Sequence, residues 1–286
     1  MLRTSHSSIR VHAGHALVEV IVTVLSVTFL LGLAVLGVGC GSGDGPRKTQ
    51  CINNQHNIGI ALIRFEMEKG RYPGWTNSQN PQGGLGGTET GWVFPLLPYL
   101  DRQDLYSYYG AAGKQAGATP TEYLKILICP SDKDALKKTG THGNYVVNTG
   151  LLGDVPSERE AAAGVFTRQY RASDDDLVMM PSSRSITDGL ATTILFSENI
   201  DAGDWTSADE GCVGIAWEEK AEPSKGARIG ESAGAGKCEY PRPSSHHTAG
   251  GAVVTFCDGH TQFIDKNIAY SVYQEMMTSQ GKLFGQ

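Results

Sequence analysis

From Ala16 to Val38 the chain is apolar apart from Glu19 and scattered Ser, Thr and Gly. A run of this length covers about the 20 residues that a helix needs to cross a bilayer. Such a segment cannot hide in a water-facing core by itself, so it predicts an N-terminal anchor with the remainder folding on one side of a membrane. Residues 1–14 carry Arg3 and Arg10 and no acid, and this positive flank predicts a cytoplasmic N-terminus with the bulk of the chain outside. A cleavable secretory signal would have a shorter apolar core ending in a small-residue cleavage site; no clear site of that kind is present.

One carboxylate, Glu19, lies inside the apolar span, and a charge there costs several kcal/mol unless it is paired or kept near the interface. The string GHALVEV resembles the type IV pilin signal, in which a leader ends in Gly and a Glu stands fifth in the mature chain. The resemblance implies cleavage by a prepilin peptidase between Gly14 and His15 and methylation of the new terminus. It also implies pairing of Glu19 with a neighbouring subunit's amine. His15 replaces the usual Phe. Two other readings stay open: a plain signal anchor with Glu19 at the interface, and a lipoprotein whose LGVGC run ends in Cys40, although Gly37 stands where Leu is preferred. The expected organisation is a leader over 1–14, a transmembrane helix over 15–38, a Gly-rich linker over 39–46 and an exported head over 47–286, with a loop insertion over about 201–245.

The head reads as α+β. Ile58, Leu62 and Phe65 share one face of a helical pattern from Lys48 to Lys69, and Gly70 ends it. ILICPSD, GNYVVNTG, TILFSEN and VGIAW are short apolar runs bounded by turn residues, which predicts strands. Near the C-terminus AVVTFC and HTQFI flank Asp258-Gly259, a hairpin signal in which both central residues would take positive φ. Asp265 can cap a terminal helix to about Met277, with Ile268, Val272 and Met276 at four-residue steps. The expected head is an antiparallel sheet with this hairpin and terminal helix.

The blocks CINNQHNIGIALIRFEMEKGRYP, WVFPLLPYLDRQDLY, ILICPSD, ITDGLATTILFSEN and SSHHTAGGAVVTFCDGHTQFI occur in that order over residues 51–264. Together they resemble a large family of unknown function, abundant in planctomycete bacteria, whose members pair a prepilin-type N-terminus with a C-terminal His and Asp-Gly signature. That signature usually has nine residues between the His and the Asp-Gly; here ten separate His247 from Asp258.

Charge and cysteine usage narrow the function classes. With 24 basic and 30 acidic residues and no basic block beyond the leader, a nucleic-acid partner is not expected. Export would make the six cysteines disulfide candidates; the pairs proposed are Cys51 with Cys129 and Cys212 with Cys238. GESAG, residues 230–234, matches G-x-S-x-G, but its Gly-rich surroundings lack the strand and helix that a nucleophile elbow needs, so no enzyme is expected. His246, His247, Asp258 and His260 are candidates for a metal site. Asp201, Asp204 and Asp209 are candidates for calcium, although they do not match the EF-hand loop; no other cofactor is expected. The function expected is a pseudopilin-like structural or assembly protein of a type II secretion or type IV pilus-like system. It would sit in the inner membrane with its head in the periplasm or exterior, and its partners would be the membrane, the prepilin peptidase and pseudopilin-like subunits or further copies of itself. The alternative is a tethered module that never polymerises and binds a ligand with its aromatic and acidic loops.

Overall fold

In the computed structural model the described residues are 18–27, 44–78, 88–110, 118–133, 140–151, 163–169, 180–219, 229–230, 238 and 242–281. The chain divides into two compact units, Met1–Pro46 and Arg47–Gln286. In the first unit, residues 18–27 are helical. No helix among the described residues is long and apolar enough to cross a membrane. Gly14, His15, Cys40 and the rest of the expected span lie outside the described residues.

Helix α1 spans Asp44–Lys69, so it begins inside the segment expected to be a linker. Pro46 falls in its first turn, where a missing N–H costs nothing and the fixed φ suits the helix. Gly70 ends the helix with φ of 70° and an N–H bond to the Glu66 carbonyl of 2.7 Å. The buried face carries Cys51, Gln55, Ile58, Gly59, Leu62 and Phe65, the predicted 3.6-residue stripe. Each fully buried Ile, Leu or Phe contributes roughly 1.5–3 kcal/mol.

Strands β1 (Thr76–Ser78) and β2 (Glu89–Gly91) form a small antiparallel ribbon. A 3₁₀ helix over Phe94–Leu100 leads into α2 (Gln103–Tyr109). The main sheet contains β3 (Tyr145–Leu151), β4 (Ile194–Glu198), β5 (Gly214–Trp217), β6 (Gly251–Phe256) and β7 (Thr261–Asp265). Its order is β5-β3-β4-β6-β7. The fold is α+β, but the sheet is mixed, because β5 pairs parallel with β3. A short helix α3 (Glu210–Val213) precedes β5, and α4 (Tyr270–Met277) follows β7.

Both faces of the sheet are covered. Tyr145, Val147 and Val253 join the Ile58, Leu62 and Phe65 face of α1 in one core. Their strand neighbours Val146 and Val254 join Trp217, Tyr273 and Met277 in another. Alternation along a strand divides the two sets, and it explains why β6 is buried at every position.

The β6–β7 hairpin forms where Asp-Gly predicts it, with Val253 opposite Phe263. Its turn differs from the expectation. Gly259 N–H bonds the Phe256 carbonyl at 2.9 Å, and Gly259 is at φ 90° while Asp258 stays at negative φ. The longer loop lets one glycine in the left-handed region close the turn. The terminal helix also differs: Asp265 accepts from the Asn267 N–H instead of capping α4, whose buried residues are Tyr273, Gln274 and Met277. Val272 faces outward.

Candidate metal centre

Four side chains from four separate elements converge on one buried point. Cys51 comes from the second turn of α1, Cys129 from the loop before β3, Glu198 from the end of β4 and His247 from the loop entering β6. One ligand-type atom from each lies within 4.8 Å of all the others. Cys51 Sγ is 2.9 Å from Glu198 Oε2, His247 Nε2 is 3.5 Å from Glu198 Oε1, and Cys129 Sγ is 3.8 Å from His247 Nε2. None of the four residues is more than 3 % exposed.

Local sequence chemistry places each donor. Cys129-Pro130-Ser131-Asp132 is a tight turn closed by the Asp132 N–H to the Cys129 carbonyl at 3.0 Å, with Pro in the position whose φ it fixes in advance. Asn144 braces the turn: its Oδ1 accepts the Cys129 N–H at 3.0 Å and its Nδ2 donates to Asp132 at 2.8 Å. Tyr145 lies directly across from Glu198 in the sheet, and its hydroxyl is 3.3 Å from Cys51 Sγ. The Ser244 N–H donates to the Glu198 carbonyl at 3.0 Å, and the Ser245 hydroxyl accepts the His247 N–H at 3.1 Å. These bonds hold the histidine loop against β4.

A second layer orients the donors. His247 Nδ1 is 3.1 Å from Ser131 Oγ; a proton on Nδ1 leaves the Nε2 lone pair facing the centre. Glu198 Oε1 accepts the Val253 N–H at 2.6 Å. Gln55, one turn after Cys51, donates to the Val253 carbonyl at 2.8 Å and accepts from Thr255 Oγ1 at 3.0 Å, which fastens α1 to β6. Burial pushes the Cys51 thiol well above its ordinary range. Cys129 is held below that range, chiefly because Cys51 is placed to hydrogen-bond its sulfur. Two sulfurs, an imidazole nitrogen and a carboxylate oxygen form a donor set able to hold a tetrahedral cation.

Of the metal candidates read from the sequence, His247 alone belongs to this cluster. His246 is nearly half exposed, 3.9 Å from Asp132 Oδ1. His260 stacks on Phe256 at 4.3 Å and bonds Asp258 at 2.6 Å, so Asp258 and His260 serve the hairpin turn. The calcium candidates do not converge among the described residues. Asp201 lies 3.4 Å from the Arg242 guanidinium, Asp204 bridges His142 through the backbone, and Asp209 caps α3 by accepting the Gly211 N–H at 3.0 Å. Cys212 and Cys238 form the expected disulfide. The other expected pair is corrected: Cys51 and Cys129 are neighbours but free thiols, each directed at the carboxylate and imidazole rather than bonded to the other. Sequence reasoning missed Glu198, which sits at the end of an apolar strand with no acidic neighbours.

Trp92, Trp205 and Trp217 are core residues, and the indole N–H groups of the last two bond the Glu122 and Ala163 carbonyls. They offer no exposed aromatic platform. An open cleft of about 470 Å³ lined by Asp188, Thr192, Glu275 and Met276 lies apart from the buried cluster.

Residues 45–271 match the family described as Protein of unknown function (DUF1559). The chain belongs to that family. All four converging residues fall inside the matched span. No curated protein and no solved structure matches the chain. DUF1559 membership is therefore a statement of kinship, and the chemistry rests on the geometry above.

Proposed function

We propose that the chain is a membrane-anchored, pseudopilin-like structural subunit, whose head is exported and whose N-terminal helix mediates anchoring and assembly. The observation that carries this reading is the helix over 18–27. Val18, Ile21, Val24 and Leu25 are each between 48 % and 63 % exposed, a density of uncovered apolar side chains that suits a lipid or helix neighbour rather than water. The polar residues Thr23 and Ser26 bond the carbonyls of Glu19 and Val22 within the same helix, both at 2.9 Å. In an apolar environment that leaves their hydroxyls satisfied. Glu19 is the one ionisable residue of the segment, and a terminal amine of a neighbouring copy would offset its charge.

The test is in vivo crosslinking through cysteines introduced into residues 18–27, with Glu19→Ala alongside. Assembly predicts ladders of self-contacts that the variant loses while the head keeps its fold. Ladders unchanged by Glu19→Ala overturn the Glu19 mechanism, and the absence of self-contacts in both chains favours the non-polymerising tether. The mass of the mature N-terminus tests processing: a chain beginning at His15 supports it and one beginning at Met1 rejects it.

A further inference from the structure

We propose that Cys51, Cys129, Glu198 and His247 are the four protein ligands of a structural zinc ion. The distances fit such an ion. Zinc bonded to sulfur at about 2.3 Å, and to nitrogen or oxygen at about 2.0–2.2 Å, puts tetrahedral ligands roughly 3.3–3.8 Å apart. The 3.5 Å separation of His247 from Glu198 and the 3.8 Å separation of Cys129 from His247 are already of this size. The 2.9 Å approach of Cys51 to Glu198 needs only to open by less than 1 Å as the cation comes between sulfur and oxygen.

Donor chemistry selects the metal. Calcium and magnesium take oxygen ligands, whereas two sulfurs with one imidazole and one carboxylate suit a borderline-soft ion without redox chemistry. All four tetrahedral positions come from protein, and the ligands are buried, so no position remains open for a substrate; the site is closed and structural rather than catalytic. The orienting shell is also present, with Ser131 on His247 and the Val253 N–H on Glu198, as metal ligands require.

A second observation points the same way. The same chain carries an oxidised pair, Cys212–Cys238, which implies a disulfide-permitting compartment. Two neighbouring thiols in that compartment can pair as a disulfide while the head folds unless something occupies both sulfurs. Coordination to zinc does so, and it also compensates the charge of a carboxylate that is otherwise costly to bury.

The experiment uses the full chain purified from membranes in detergent, without a polyhistidine tag. Elemental analysis is expected to find about one zinc per chain, and X-ray absorption at the zinc edge a shell of two sulfurs and two nitrogen or oxygen atoms. Cys129→Ser should remove the zinc or replace one sulfur in the shell. If that variant does not fold, wild-type chain stripped by chelation and reloaded with Co²⁺ provides the second measurement, through the thiolate-to-cobalt charge-transfer band. A native chain with less than about a tenth of an equivalent of zinc that also takes up no Co²⁺ overturns the proposal. So does a shell without sulfur, a different resident metal, or recovery of a Cys51–Cys129 disulfide peptide.

Discussion

The two cysteine pairs of the head solve different problems. Cys212 and Cys238 are 26 residues apart and join directly, closing a covalent loop. Cys51 and Cys129 lie on an N-terminal helix and a distant turn, and they meet only with Glu198 and His247 between the sheet and α1. The first pair restrains a local segment, and its effect falls mainly on the unfolded chain. The second pair ties four elements together, and its effect depends on an ion that the unfolded chain cannot hold in the same geometry. Their vulnerabilities should therefore be opposite: a reductant attacks the first and a chelator the second.

The largest expected effect comes from breaking the four-residue centre. His247→Ala should destabilise the head by about 3–5 kcal/mol, since it takes the imidazole away from a buried carboxylate and one ligand away from the ion. Urea unfolding of the full chain checks this, and a loss under about 1 kcal/mol would show that the cluster contributes little to the fold. Next is Cys212→Ser with Cys238→Ser, expected to cost about 2–4 kcal/mol for a loop of this length. The contrast sharpens if a reductant lowers the midpoint of the wild type and leaves this double variant unchanged, while a chelator lowers both.

Gln55→Ala tests the brace beside the first pair. It removes one of two partners from each of Thr255 Oγ1 and the Val253 carbonyl, which keep the Thr261 and Ser197 hydroxyls, at about 1 kcal/mol, and it should loosen zinc binding as well. The smallest effect belongs to the brace beside the second pair. Asp209→Ala removes the N-cap of the short helix that carries Cys212 and should cost about 1 kcal/mol, with no change in zinc content. Zinc loss in Asp209→Ala would mean that the two regions are coupled. Cys257 supplies an internal control: it is buried, and burial pushes its thiol well up. It should resist alkylation in the folded chain whether or not chelator is present.

What could be read from the sequence follows the range of the interactions. The α1 face, Gly70 and the hairpin are set by residues a few positions apart, and period and turn chemistry made them legible. The Cys212–Cys238 pair was legible because its partners lie close along the chain. The terminal helix ends where expected, at Met277, but starts at Tyr270 rather than after Asp265; Ile268 and Met276 pack against the core as their spacing suggests, whereas Val272 fits a four-residue step as well as Tyr273 does, and the packing of Trp217 and Tyr273 decides between them. The parallel pairing of β5 with β3 has no local signature. The same holds for the centre, where Cys51 and Glu198 are 147 residues apart and Cys129 and His247 are 118 apart. No spacing rule reaches across such gaps. A signal was nevertheless present, since CINNQHN, ILICPSD, ILFSEN and SSHH each contain one of the four ligands. The blocks that carried the family resemblance carry the site.

The convergence of α1, the Cys129 turn, β4 and the His247 loop also sets an order of events in the making of the protein. A chain that emerges N-terminus first presents Cys51 and Cys129 long before His247 exists to meet them. During that interval the two thiols are open to wrong partners, including Cys212 once it appears. Completion of the centre must wait for almost the whole head, which makes it a late checkpoint: a molecule truncated between Cys238 and His247 has every cysteine of both pairs but no complete centre to keep them apart.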